Sequence, residues 1–526
     1  MLRFLISFSL FLCLSLLNGQ DVTVELSPEF KLPTRQVFQK HLYSDATGHY
    51  VYFYEYSSGL AAKFGGDATL LFEKYSPDFK LLIGKEFQSG ESKVYTVGMK
   101  YLKGSFAWLL GKWDNKADYM TYQFVPISRE GVASDPLEVA KVRYELRRGI
   151  PDTWWVVSED TTSMLFSAFY DSKREEQPID MFFDVRDAQL APMWQKQFKL
   201  DYTEKQVDVR DMALGNDGTV YVLVKIYEGD KAKETKKVAG ERVANYQMAV
   251  WHFEPGKDTP GEYRLNLSGA FVKDASIEVT PQGDLGVVGF FANDFKGLVR
   301  GAFLMKMAAG NGEVLLAQKE EFSAKDLELM GDDNTDSKRG EEGLEGTFRF
   351  QDVHFLENGS TFITAEENFS ITYQSGSPTT GYSTRTVYYS RDIIVLLFGP
   401  EGKLDDVVVI PKRQRMENTN FFLGFATIQG KDKAYFFYNE DRQNLKKPIG
   451  ERTRYVSSFQ DGISVVTSLD SNGNLERTPL FDTRDVESLF VADLSSPIDE
   501  SSLFFVALKP NLLAKSNFRM GKIMVK

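Results

Sequence analysis

A chain of 526 residues that is 42% hydrophobic and 13% aromatic has ample material for a large buried core. Its formal net charge of −12 argues against nucleic acid as the main partner. A single cysteine, Cys13, excludes an internal disulfide framework, so stability has to come from burial.

The first residues read as a secretory signal. Arg3 gives the positive start, Phe4 to Leu17 the apolar stretch and Asn18-Gly19 a small-residue exit. The expected organisation is a signal over residues 1–19 followed by one domain over 20–526, exported to the periplasm, the outer surface or the medium. Leu12 stands where a lipid-anchored cysteine wants a small residue before it, which counts against anchoring at Cys13. No later apolar run reaches membrane-spanning length, so no transmembrane segment is expected.

Beyond the signal the chain repeats itself weakly. Short turn clusters recur, each feeding an apolar run of strand type. In order, Gly48 leads into HYVYFYEY, Gly104 into SFAWLL, EDTT into SMLFSAF, and LGNDG into TVYVLV. Then TPQGD leads into LGVVGF, ENGS into TFITA, QGKD into KAYFFY, and PIDES into SLFFVAL. These runs start near residues 49, 105, 163, 219, 285, 361, 434 and 502, which makes eight units. Most units continue into two more strands around turns such as SPD, GNG, PEG and SNG, whose residues suit tight reversals. A short helix is expected within 136–148.

Four antiparallel strands repeated radially is the pattern of a β-propeller blade. The expected fold is therefore all-β, a propeller of eight blades, or seven if the first and last units share one. The last unit shows three strands only, and VTVEL (Val22 to Leu26) is expected to supply the fourth, closing the ring between the N- and C-terminal strands. The stretches Tyr388 to Gln414 and Ala434 to Leu445 resemble a group of secreted proteins of Bacteroidota-type bacteria. That resemblance spans about a quarter of the chain and implies fold and compartment, with no activity attached.

The later units are longer than the early ones. Inserts fall at about 227–247, 366–391 and 439–461, between second and third strands, and at 323–347, between units. Strand alternation sends all four to the same end of the ring. Long loops on a rigid scaffold are where binding tends to sit. The residues singled out on this face are Tyr373, Tyr382, Arg385, Tyr388, Arg442, Arg452, Arg454 and Tyr455. Tyrosine offers a flat apolar ring with a hydroxyl, and arginine forks onto carboxylates. A protein or glycan partner is the expected ligand. The plain alternative is that these charged loops are solvated hairpin extensions.

Catalytic signatures are missing from the sequence. His41, His49, His252 and His354 make no metal-ligand spacing, and each reads as structural. No nucleophile elbow, phosphate loop or dinucleotide fingerprint occurs, and no cofactor is expected. The acidic stretch Gly331 to Gly343 departs from the calcium-loop pattern; if it held calcium, Asp332, Asp333 and Asp336 would be the ligands. Acids near first strands, such as Asp208, Asp211, Asp274 and Asp352, leave open a second function, polysaccharide cleavage by carboxylates at the ring axis.

Overall fold

The computed structural model describes residues 16–18, 22–31, 36–55, 68–91, 93–114, 118–143, 151–171, 176–267, 269–295, 297–330, 348–356, 358–377, 381–451, 453–509 and 517–526. They build eight antiparallel blades of at least four strands each. The second strands are Gly48–Glu55, Ser105–Asp114, Ser163–Phe169, Val220–Tyr227, Leu285–Ala292, Thr361–Ser377, Lys433–Asp441 and Ser502–Lys509. Those are the eight runs that the turn clusters announce. They form because a strand sandwiched between two neighbouring blades is buried on both faces, and so reads as a continuous apolar run. In Leu285–Ala292 every residue is buried.

Blade 8 closes the ring as the sequence suggests. Its own strands Leu489–Asp499, Ser502–Lys509 and Asn517–Val525 are completed by Val22–Leu26, in register from Val22 opposite Val525 to Leu26 opposite Gly521. Leu16–Asn18 adds one more strand outside it. With this strand in place the count is eight rather than seven.

The core is divided into seams. One apolar cluster lies between blades 1 and 2, another between 2 and 3, and so on round to blades 8 and 1. Close approach sets residue choice at these seams. Gly286 in blade 5 faces Phe355 of blade 6, and a Cβ there would lie 1.8 Å from the ring.

One sequence expectation fails. Of the span 136–148 where a helix is expected, Leu137–Arg143 is instead the outermost strand of blade 2, paired with Tyr119–Ser128, and 144–148 lie outside the described residues. Val139 and Val142 suit a pleated surface, and the neighbouring strand supplies the hydrogen bonds a helix would have made internally. Among the described residues no helix is long and apolar enough to cross a membrane.

Candidate functional site on the insert face

The first strands of the blades surround the axis. In blades 1, 2, 4, 5 and 6 each carries at least one β-bulge partway along, leaving Gln39 and Leu42, Val97, Arg210, Lys273 and Gln351 without a partner in the second strand. A bulge re-aims the residues beside it. The residue after the bulge is an aspartate in three consecutive blades, and each reaches the next blade's first strand. Asp211 accepts from Ser276 Oγ at 2.5 Å and from the Ile277 amide at 3.0 Å. Asp274 faces the Phe350 amide of blade 6 and lies 3.7 Å from Arg210 of blade 4. Asp352 accepts from the Thr427 hydroxyl. These sequence-nominated acids are therefore inter-blade staples in mid-strand. Asp208 pairs with Arg210 at 3.2 Å.

Two cavities lie along this axis. The larger, about 1020 Å³, is lined by first strands of blades 1 and 3 to 8, including Asp211, Glu278, Asp352, His354 and Asp493. Burial, with Asp211, Asp352 and Glu159 nearby, pushes the Glu278 carboxyl up to about 8. Glu278 was not among the acids the sequence suggested.

The smaller cavity, about 530 Å³, opens between blades 6, 7 and 8 at the end where the inserts gather. The insert at 366–391 is no loop. It prolongs a hairpin, Thr361–Ser377 with Gly381–Phe398, to a tip where Ser377 faces Gly381. Gln414–Glu417 pairs along its flank, and Val456 of the blade 7 insert exchanges amide bonds with Arg413 and Arg415 at 3.0 Å. The two inserts are thus laced into one rigid wall.

That wall presents aromatic rings to the cavity. Phe369 stacks on Tyr389 at 4.7 Å and 11°, and Tyr455 meets Tyr389 edge-on at 6.0 Å. Tyr388, on the other face of the same strand and packed against Met416 and Phe422, also lines the cavity, with Asn368, Ser370, Asn420, Gln351, Arg349 and Asp493 as polar neighbours. Among the described residues Arg349 and Asp493 make no hydrogen bond or ion pair, while partial desolvation and nearby Glu366 hold the Asp493 carboxyl above its ordinary range.

The cavity floor is a buried ionic network. Glu366 and Lys412 are 1% and 0% exposed and form an ion pair. Glu366 also accepts from Ser390 Oγ at 2.6 Å and Asn368 Nδ2 at 2.5 Å. Lys412 also reaches Ser390 Oγ and, at 3.3 Å, Gln414 Oε1. Gln414 in turn accepts from the Gly424 amide at 2.7 Å and donates to the Asn439 carbonyl at 2.8 Å. Burial lowers the Lys412 ammonium, with Glu366 pulling the other way. Pairing and full hydrogen bonding are what make two buried charges tolerable.

The residues nominated from sequence separate into groups. Tyr388 lines the cavity, while Tyr455 packs edge-on against Tyr389, the strand neighbour of Tyr388. Tyr373 and Arg385 sit farther out on the hairpin, the guanidinium 5.5 Å from the ring and 3.4 Å from Glu417. Tyr382 pairs with Gly376 near the tip; its side chain, like Arg452, lies outside the described residues. Arg442 is taken up by Asp482, both contacts at 2.5 Å, and Arg454 donates to Gln443 at 2.8 Å. Asp332, Asp333 and Asp336 lie outside the described residues, among which no group of three or more metal-ligating side chains converges. His49 and His354 do not meet: the first joins His41 in blade 1, the second lines the axial cavity.

No family model and no curated protein matches the chain. Solved structures with similar shape include a protein of unknown function from Dyadobacter fermentans, 8% identical, TM-score 0.32, covering 94% of this chain and all of that one. The β-propeller domain of the Trilobed protease from Pyrococcus furiosus is 9% identical, TM-score 0.34, over 85% of this chain and 98% of that domain. The α-L-arabinanase of Penicillium chrysogenum complexed with arabinobiose is 9% identical, TM-score 0.31, over 68% and 98%. By its own strand pairing, the chain is an eight-bladed, four-stranded β-propeller closed by its N-terminal strand.

Proposed function

We propose that the chain is an exported binding module that takes an oligosaccharide in the insert-face cavity. The observation that carries this reading is the chemistry of one wall and rim: rings at Phe369, Tyr388 and Tyr389 beside amides and hydroxyls at Asn368, Ser370, Asn420 and Gln351. Aromatic faces accept the apolar faces of sugar rings, and convergent amides, Arg349 and Asp493 suit vicinal hydroxyls. The laced hairpin holds these groups in place before a ligand arrives, which limits the entropy lost on binding.

Thermal unfolding against a panel of neutral and acidic oligosaccharides tests it. A ligand at a hundred times its dissociation constant adds about 2.7 kcal/mol, a readable rise in midpoint. The expected result is a rise with at least one oligosaccharide that Asn420→Ala and Arg349→Ala weaken, while the unliganded midpoint stays put. A rise unchanged in both variants would remove the cavity from the account.

A second reading, polysaccharide cleavage at the axis, is favoured by one observation. Glu278 is a carboxyl held protonated at neutral pH beside Asp211 and Asp352, the pairing that acid catalysis of glycoside hydrolysis uses. Release of reducing ends from a polysaccharide panel, lost in Glu278→Gln, would establish it; no release from any substrate would leave binding alone.

A further inference from the structure

The seam between blades 8 and 1 is where the first and last blades of the repeat meet, and it holds two of the four histidines. His41 is on the first strand of blade 1, Gln36–Asp45, and His49 on the second, Gly48–Glu55. Their side chains form one continuous polar chain with two serines. Ser496 of blade 8 shares a 2.5 Å hydrogen bond with His41 Nδ1. His41 Nε2 shares one of 2.7 Å with Ser44 Oγ, and Ser44 Oγ shares one of 2.6 Å with His49 Nδ1. Both residues are buried, at 5% and 4% exposure. His41 stacks on Phe504 of blade 8 at 4.2 Å and 12°, and His49 on Phe79 at 5.2 Å.

We infer that this Ser496–His41–Ser44–His49 chain is an acid-sensitive latch, which releases blade 1 from blade 8 when the imidazoles take up protons. Burial sets the direction, holding His41 down at about 3 and His49 at about 4, and the surrounding charges do not reverse it. His41 faces His49 and Lys40; His49 faces Lys522 and Asp45. Two lysines and a second imidazole against one carboxylate give an imidazolium no net electrostatic welcome. Protonation also spoils the hydrogen-bond pattern, because a doubly protonated ring has two donors and no acceptor, so a serine that donates to a ring nitrogen loses its acceptor. With folded values below the ordinary 6.5, the seam keeps its full stability above that pH and loses it as the pH falls towards the folded values.

Hydrogen exchange read by mass spectrometry, corrected for the intrinsic pH dependence, tests the latch on the whole chain at pH 7.5 and 5. Peptides from Gln36–Asp45, Gly48–Glu55 and Ser502–Lys509 should lose protection relative to the seam of blades 4 and 5 by on the order of 30-fold for each imidazole exposed by the opening, the factor that a group titrating 1.5 units above the solution pH provides. The double variant His41→Phe with His49→Phe, which keeps a ring against Phe504 and against Phe79, should abolish the acid response; if it does not fold, either single substitution should remove one imidazole's share of that response. Equal loss of protection at both seams, or an acid response of full size in the substituted protein, would overturn the inference.

Discussion

Lys412→Met is expected to destabilise the native state by about 3–5 kcal/mol, among the largest effects of any single substitution in the chain. The methionine fits the space, but Glu366 stays buried at 1% exposure without its cation. Its remaining partners, Ser390 and Asn368, are neutral donors and do not replace an ammonium. The double variant Lys412→Met with Glu366→Gln should recover most of the loss, because it removes the charge as well as its partner. Urea unfolding of both singles and the double closes the cycle. Additive losses would mean that the pair is not the coupled unit its geometry indicates. The network also ties cavity to fold: Glu366 lines the cavity, Lys412 follows the outer strand of blade 6, and Gln414 bonds blade 7 at Asn439 and Gly424.

Glu278→Gln is expected to act in the opposite sense, raising stability by about 2–4 kcal/mol at pH 8 and hardly at all at pH 4. A folded pKa raised to about 8 means that the native state holds a proton which the unfolded chain releases above 4.5. The contribution of that group is therefore full below 4.5 and lost as the pH rises towards 8. Glutamine stays neutral throughout and escapes the loss. Denaturant unfolding of wild type and variant at the two pH values reads the difference directly; a variant that is less stable at pH 8 would show that the carboxylate is welcome on the axis. Residues that weaken the fold where they stand are candidates for function, since stability and activity trade against each other at such sites.

The two titrations bracket the molecule. His41 and His49 remove stability on the acid side of 6.5, and Glu278 removes it on the way up to 8. Maximal stability is expected near neutrality for reasons located in two particular places, the closing seam and the axial cavity.

The sequence announces the eight second strands because burial on both faces writes each as an unbroken apolar run behind a turn, as at TPQGD before Leu285. It announces the closing strand because the last repeat is one strand short. It does not announce the axis. Asp211, Asp274 and Asp352 look like turn acids until the bulges at Arg210, Lys273 and Gln351 turn them onto the next blade. A one-residue bulge leaves no periodic trace in a strand of eight. Arg442 reads as a free surface cation, yet Asp482, forty residues later, holds it from a neighbouring strand end. The hairpin from 366 to 391 reads as an insert because tyrosine, serine and threonine are as common in loops as in exposed strands; only its pairing, Asn368 opposite Ser390 and Tyr373 opposite Arg385, reveals a wall.

The most direct test of the binding proposal is to map where an oligosaccharide protects the protein, using hydrogen exchange with the same neutral and acidic oligosaccharides as ligands. Protection is expected at 366–370, 387–390 and 420–425, with the axial segments 276–279 and 352–356 unchanged. Protection confined to those axial segments, or none anywhere with any oligosaccharide, would contradict the assignment of the insert face as the binding site.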